Sequence, residues 1–179
     1  MARIHSLLAG ANVCAFLDML AWSELGPALL AVSDDGYNVF VGSTAKHPHL
    51  FASYASHPHI IVNVSSGLRS SATGRYQFLA HTWDALVDKL ALPDFSPISQ
   101  DRAAIELLRQ CKAYPEIVAG HIEAAIHLAR SIWASLPGAG YGQLENPLSK
   151  LVDAYNAALA KQKPDFSNVI AGSTSANEE

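Results

Sequence analysis

Apolar residues recur at helical spacing near the start of the chain. Five of them fall at i, i+3, i+4, i+7 and i+8: Val13, Phe16, Leu17, Leu20 and Ala21. This spacing is typical of one buried face of an α-helix and predicts a helix over residues 11–24. Gly26 followed by Pro27 predicts that the helix ends there.

Extended structure is predicted next. Residues 37–42 read as a short strand bounded by glycines, after an Asp-Asp-Gly turn signal at 34–36. The sequence His-Pro-His occurs twice, at residues 47–49 and 57–59. Two copies, each with a proline, favour extended loop or edge-strand structure over a repeat architecture.

The rest of the chain is predicted to be mostly helical. A cap-and-proline signal at 94–97 opens one helix, and a glycine-rich loop covers 137–142. The predicted helices span residues 76–90, 97–112, 121–134 and 146–161. The fold class is therefore α+β, mostly helical with one small antiparallel sheet near the N-terminus. One folded domain is predicted over residues 1–163, followed by a flexible polar tail at 164–179.

Composition narrows the possible functions. Half of the 179 residues are hydrophobic and 16% are charged, as in globular domains. The net charge of −4 argues against nucleic-acid binding. Cys14 and Cys111 are too few for a disulfide scaffold or a thiolate zinc site. No uninterrupted apolar stretch approaches the roughly 18 residues of a membrane span, and the start reads as part of the fold rather than as a signal peptide.

Glu24 is the candidate catalytic residue. It lies eleven residues after Val13, and eleven steps of about 100° return to nearly the same direction, which puts its carboxylate on the apolar face at the helix end. Burial and the negative end of the helix dipole both raise a carboxyl pKa, as a general acid requires. The alternative is a glutamate that extends into water from a frayed helix end.

Other candidates have weaker patterns. Asp34 and Asp35 could supply the second carboxylate of a glycoside hydrolase, or form an ordinary turn. The histidines of the two His-Pro-His segments could bind a metal, but without an interleaved acidic or cysteine ligand we expect exposed loop histidines, no metal and no cofactor. The loop 138–142 lacks the preceding strand and the Lys-Ser pair of a phosphate loop. With Tyr141 and Gln143 it suits a groove that stacks and hydrogen-bonds sugars.

Several segments in one order resemble the bacteriophage lambda endolysin family. They are FLDMLAWSE (16–24), DGYNVFVG (35–42), YASHP (54–58), GRYQF (74–78), DFSPISQD (94–101) and WASLPGAGYGQ (133–143). The resemblance implies a lysozyme-like α+β fold with a groove for the glycan strands of peptidoglycan, so that residues 1–163 form a lysozyme-like catalytic domain. It also implies lytic transglycosylation: cleavage of the MurNAc–GlcNAc β-1,4 bond without water, leaving a 1,6-anhydro-MurNAc end.

The same resemblance assigns roles to residues. Glu24 matches the single catalytic acid, which protonates the glycosidic oxygen and then takes the proton of the attacking C6 hydroxyl. The loop around His57 and the loop 138–143 close over the groove from two sides. The candidate sugar contacts are Tyr37, Asn38, His57, Gln77, Tyr141 and Gln143.

The resemblance further implies a phage or prophage enzyme made in the host bacterial cytoplasm. It would act on the wall in the periplasm after a holin opens the membrane, without stable membrane insertion, and we expect a monomer. Two alternatives stay open: a muramidase of the same fold that uses a second carboxylate such as Asp35, and a non-catalytic glycan-binding phage protein. Leu25, Gly26 and Pro27 stand where the family commonly has glycine and threonine, Ser56 replaces an aspartate, and residues 43–49 look like an insertion.

Overall fold

The computed structural model describes residues 1–65, 68–142 and 144–162. Helices dominate, with one two-stranded antiparallel sheet in the described residues, so the α+β class is confirmed. The elements in chain order are α1 (Ser6–Ala9), α2 (Ala11–Ala31), β1 (Val62–Ser65), β2 (Leu68–Ser70), α3 (Ala80–Leu90), α4 (Pro97–Gln110), α5 (Ala113–Ala119), α6 (Ile122–Ala129) and α7 (Leu148–Gln162). The tail predicted at 164–179 lies outside the described residues, and the domain boundary at 163 stays a prediction.

Helix α2 forms the centre of the fold, and α7 packs along it. Every residue from Val13 to Ala21 is buried, so the first half of α2 is surrounded by other elements rather than half exposed. Gly26 breaks the helix with φ 73° and ψ 156°, a conformation that favours glycine. The predicted stop is thus a kink: Pro27 follows it in a first helical turn, where proline is tolerated, and the helix continues to Ala31.

The expectation that no stretch could span a membrane is too strong for α2. By length and composition alone this helix could cross one, and 56% of the qualifying stretch is buried inside the fold. A buried core helix passes the same test, since burial in protein and burial in lipid select similar side chains.

The strand predicted at 37–42 is wrong. Val39 and Phe40 form only isolated bridges, to Leu50 and Thr73, and the strands of the sheet are β1 and β2. The backbone here bonds to several separate segments, as in the bond from the Val41 amide to the Ala72 carbonyl, so no continuous ladder forms. Both strands of the sheet follow the second His-Pro-His segment in the sequence.

The predicted helices differ at their ends. The Ser96 cap and Pro97 at the first turn of α4 are confirmed, with the Ser96 hydroxyl accepting from the Ser99 amide. α3 begins at Ala80 rather than 76, because Gln77 adopts φ 52° in a turn closed on Gly74. α6 ends at Ala129, and the short α5 was not predicted.

A buried polar cluster ties α2 and α4 to the intervening loops. The Arg75 guanidinium, about 1% exposed, lies 2.7 Å from Asp18 Oδ1 on α2 and pairs with Asp35. Asp101 on α4 accepts hydrogen bonds from the Tyr37 and Tyr76 hydroxyls at 2.8 and 2.6 Å. These bonds hold the loop before β1 and the turn before α3 against α2 and α4.

Candidate active site

Glu24 lies at the end of the straight first half of α2, two residues before the kink. Its partly buried carboxyl group lines a cleft of about 480 Å³ between the end of α2, the loop at 40–43, the sheet and the segment after α6. The lining residues that bear on its chemistry are Ser43, Arg69, Ser70, Gln77, Ile132 and Trp133. Leu29, which follows the kink at Gly26, lines the same cleft.

The electrostatics of the cleft suit a proton donor. Burial raises the pKa of Glu24 from 4.5 to about 7, while hydrogen bonds from Ser135 act in the opposite direction and lower it. The predicted rise through burial is therefore confirmed. The alternative of a glutamate in water at a frayed end does not hold, because α2 continues past the kink and the carboxyl group packs against Ser135.

A chain of hydrogen bonds supports one oxygen of this carboxyl group. The Ser135 hydroxyl donates to Glu24 Oε1 at 2.6 Å and lies 2.7 Å from the Ser23 hydroxyl. The Asn146 side-chain amide lies 3.1 Å from Ser23 Oγ and donates to the Ser23 carbonyl at 3.0 Å. Asn146 is fixed in turn by its backbone amide, which donates to the Ser135 carbonyl at 2.8 Å.

The donor and acceptor in each of these hydrogen bonds follow from the two groups at the ends of the series, the Glu24 carboxylate and the Asn146 amide. A carboxylate only accepts and an amide nitrogen only donates, and each hydroxyl has one hydrogen. Ser135 therefore donates to Glu24, Ser23 donates to Ser135, and Asn146 donates to Ser23. The sequence did not indicate these three residues, since 111 positions separate Ser135 from Glu24 and nothing local to either predicts the contact.

Two predicted sugar contacts are wrong because their side chains are core residues. Tyr37 is fully buried, with its hydroxyl bonded to Asp101. His57 is about 3% exposed, its Nε2 lies 3.0 Å from the Phe78 carbonyl, and its ring packs against Phe95. Burial lowers the pKa of His57, so it is held as a neutral core histidine.

The other predicted contacts lie at different places. Gln77 lines the cleft with Glu24, and its amide donates to the Gly74 carbonyl at 2.9 Å. Asn38 does not line the cleft; its side chain caps the turn by accepting from the Asp34 amide. Tyr141 is 58% exposed, and its hydroxyl donates to the Ser131 carbonyl. The loop that carries Tyr141 is held by Glu145, whose carboxylate accepts from the backbone amides of Gly138 and Gly140. The sugar contact of Tyr141 stays a prediction, and Gln143 lies outside the described residues.

The candidate second carboxylates are engaged outside the cleft. Asp34 accepts from Arg3 and from the Tyr54 hydroxyl, and Asp35 pairs with Arg75. Neither lines the cleft, which corrects their suggested role beside Glu24. Over residues 1–65, 68–142 and 144–162, no group of three or more His, Cys, Asp or Glu side chains is placed to hold a metal ion.

Comparison with known proteins adds relatives to this geometry. A family model described as Endolysin matches residues 14–162. The chain is 47% identical over 152 residues to the endolysin of Escherichia phage P2, covering 82% of this chain and 92% of that protein. It is 43% identical over 145 residues to the endolysin of Escherichia phage lambda, covering 80% and 89%.

Solved structures resemble the fold as well. Bacteriophage lambda lysozyme complexed with a chitohexasaccharide aligns with a TM-score of 0.76 and 42% identity, over 83% of this chain and 94% of that one. A second structure of the lysozyme from bacteriophage lambda aligns with a TM-score of 0.64 and 37% identity, over 85% and 92%.

Proposed function

The chain belongs to the Endolysin family, and from this premise we propose that it degrades bacterial peptidoglycan by lytic transglycosylation of the MurNAc–GlcNAc β-1,4 bond. The observation that carries the proposal is Glu24, a carboxyl group with a pKa of about 7 inside a cleft. A related lysozyme in complex with a chitohexasaccharide supports a glycan as the occupant of this cleft.

In the proposed reaction, neutral Glu24 gives its proton to the glycosidic oxygen as the bond from that oxygen to C1 breaks. The C6 hydroxyl of the same MurNAc then attacks C1, and the Glu24 carboxylate takes the hydroxyl proton. The new O6–C1 bond closes the 1,6-anhydro ring, the other fragment leaves with a free 4-hydroxyl, and Glu24 ends protonated again. No water is consumed.

The hydrogen bonds of Ser135 and Ser23 support Oε2 as the Glu24 oxygen that carries the transferred proton. Oε1 already accepts the hydrogen of Ser135 at 2.6 Å. If Oε1 carried the proton, Glu24 would donate to Ser135, and Ser135 would donate to Ser23. The Ser23 hydrogen would then have no acceptor among these groups, since Asn146 also donates to Ser23. Ser23, Ser135 and Asn146 are therefore positioning residues, which hold one oxygen and leave the other for the substrate.

The distribution of carboxylates favours transglycosylation over hydrolysis. Glu24 is the one carboxylate among the described residues that line the cleft. Glycoside hydrolases generally use a second carboxylate, about 5–9.5 Å from the first, as nucleophile or base. Asp34 and Asp35 are held by other partners, and transglycosylation needs no such group because the substrate supplies the nucleophile. A muramidase of the same fold is the alternative.

The cleft walls offer both kinds of contact that sugars use. Val64, Leu79 and Ile132 are large apolar residues, each 37–39% exposed, and can pack against the C–H faces of the rings. Ser43, Ser70 and Gln77 line the same cleft and can hydrogen-bond the hydroxyl and acetamido groups. In this proposal the enzyme is a monomer of the host cytoplasm that acts in the periplasm after holin release.

The test is mass spectrometry of the fragments released from purified peptidoglycan. Transglycosylation gives fragments lighter by one water with no new reducing end, while reducing MurNAc ends would establish hydrolysis instead. Glu24→Gln keeps the shape of the side chain and should abolish release; unchanged release would overturn the catalytic assignment. An absence of fragments from the unsubstituted protein would favour the non-catalytic glycan-binding alternative.

A further inference from the structure

Arg69 brings a positive charge into the cleft that holds Glu24. It lies on β2, opposite Asn63 of β1, and its neighbours Val64 and Ser70 line the cleft with it. Its side chain is exposed, and among the cleft-lining residues that the structure describes it is the one formal cation.

The guanidinium of Arg69 has no partner within the described part of the chain. Each of the other five arginines contacts a group in the fold. Arg3 and Arg75 pair with Asp34 and Asp18, and Arg102 donates to the Leu90 carbonyl. Arg109 lies near Glu106 and over the Tyr114 ring, and Arg130 bonds His127. Arg69 makes no such hydrogen bond or ion pair over residues 1–65, 68–142 and 144–162. Nor does it set the pKa of Glu24, which burial and Ser135 determine.

An unpaired guanidinium in a binding cleft is suited to a carboxylate ligand. Its planar N–H groups match the two oxygens of a carboxylate, and this bidentate pair is stronger than a neutral hydrogen bond. The chain as a whole carries a net charge of −4, so overall charge does not attract an anionic polymer. A cation inside the cleft provides a local attraction that the rest of the surface does not.

We propose that Arg69 binds a carboxylate carried by the muramyl residue of the glycan, and so favours peptidoglycan over neutral N-acetylglucosamine polymers. The inference rests on the proposed function, since it names a group of that substrate. Two sources of the carboxylate share this chemistry: the lactyl group of a muramyl residue without peptide, and an acidic residue of the stem peptide. Either contact would place one substituent of the glycan strand, the lactyl group or the stem peptide, next to β2.

The test is equilibrium binding to the full chain carrying Glu24→Gln, which prevents turnover. Three soluble ligands are compared by calorimetry: muramyl oligosaccharides with stem peptides, the same oligosaccharides after amidase removal of the peptides, and chitohexaose. Arg69→Gln should weaken binding about tenfold for ligands that carry the recognised carboxylate and leave chitohexaose within about twofold. Loss on the amidase-treated ligand alone indicates the free lactyl carboxylate, because the stem peptide converts that group into an amide, and loss on the peptide-bearing ligand alone indicates an acidic residue of the stem peptide.

Arg102→Gln is the matched control, because Arg102 is exposed on α4 and does not line the cleft. Arg69→Lys keeps the charge without the planar fork and should give an intermediate loss. Equal loss on all three ligands, or none on any, would overturn the inference. Binding is measured without cleavage, so the two proposals fail separately. If the unsubstituted protein releases no anhydro fragments, the proposed reaction is refuted, and the binding data still test the role of Arg69.

Discussion

The Ser135 hydroxyl donates a hydrogen bond to Glu24 Oε1 at 2.6 Å and thereby connects the segment after α6 to the end of the straight half of α2. The contact has two effects of opposite kind. It fixes the orientation of a carboxyl group that burial keeps protonated near neutral pH, and it limits how far burial raises the pKa of that group. The pKa of Glu24 thus stays near 7 through a balance between burial, which raises it, and the side-chain and backbone hydrogen bonds from Ser135, which lower it.

Removing that hydroxyl should move the pH dependence of activity. A hydrogen bond donated to a carboxylate stabilises the charged form, so Ser135→Ala raises the pKa of Glu24 above about 7. The alkaline limb of the kcat/KM profile then shifts to higher pH, and the rate at the optimum falls about tenfold as Glu24 loses its fixed orientation.

Ser135→Thr should restore the profile, since it keeps the hydroxyl. Ser131→Ala is the control, because the Ser131 hydroxyl bonds only the Leu128 carbonyl within the described residues. A profile of unchanged pH dependence in Ser135→Ala, whatever its height, would show that the bond does not tune Glu24.

Glu24 should also make stability depend on pH. Its pKa is about 7 in the fold against about 4.5 for a glutamate in water, so the folded state binds the proton more tightly than the unfolded state. Stability relative to Glu24→Gln is therefore highest below about pH 4.5, falls as pH rises toward 7, and is constant above. The total difference is about 3 kcal/mol, measurable by urea unfolding at several pH values. A difference that does not change between pH 4 and 8 would contradict the raised pKa.

The buried ion pairs of Arg75 should matter far more than a surface pair. Arg75→Met leaves the Asp18 carboxylate, which is about 9% exposed, without its cation, and leaves Asp35 with the N-terminal amino group of Met1 as its remaining cation. We expect a loss of about 3–5 kcal/mol in the free energy of unfolding. Arg109→Met, which removes a 3.9 Å pair with Glu106, should cost under about 1 kcal/mol. Similar losses for both variants would show that burial does not govern the Arg75 pairs.

Gly74 should not tolerate a side chain. It has φ 81°, and a Cβ there would clash with Gln100 Oε1, the atom that accepts from the Arg75 amide. Gly10 has a similar φ of 87° with nothing within 4 Å of the added atom. Gly10→Ala therefore reports backbone strain alone, and Gly74→Ala should unfold at least about 1 kcal/mol more easily than Gly10→Ala. Equal losses in thermal unfolding would rule out the clash with Gln100.

Local patterns along the chain predicted the features that depend on near neighbours. The apolar spacing before Glu24, the break at Gly26 and the cap at Ser96 are set by helix geometry and backbone conformation within a few residues. The position of Glu24 on the buried side of α2, and the rise of its pKa, followed from the same spacing.

The tertiary structure alone decided which polar groups meet. Ser23, Ser135 and Asn146 come together from three separated segments, and the hydrogen bond from Ser135 to Glu24 depends on how α2, α6 and α7 pack. The family resemblance made Tyr37 and His57 candidate sugar contacts, but both are buried, and tyrosine and histidine occur in cores as well as in binding sites. Residue type does not distinguish those roles; burial does, and burial is a property of the whole packed chain.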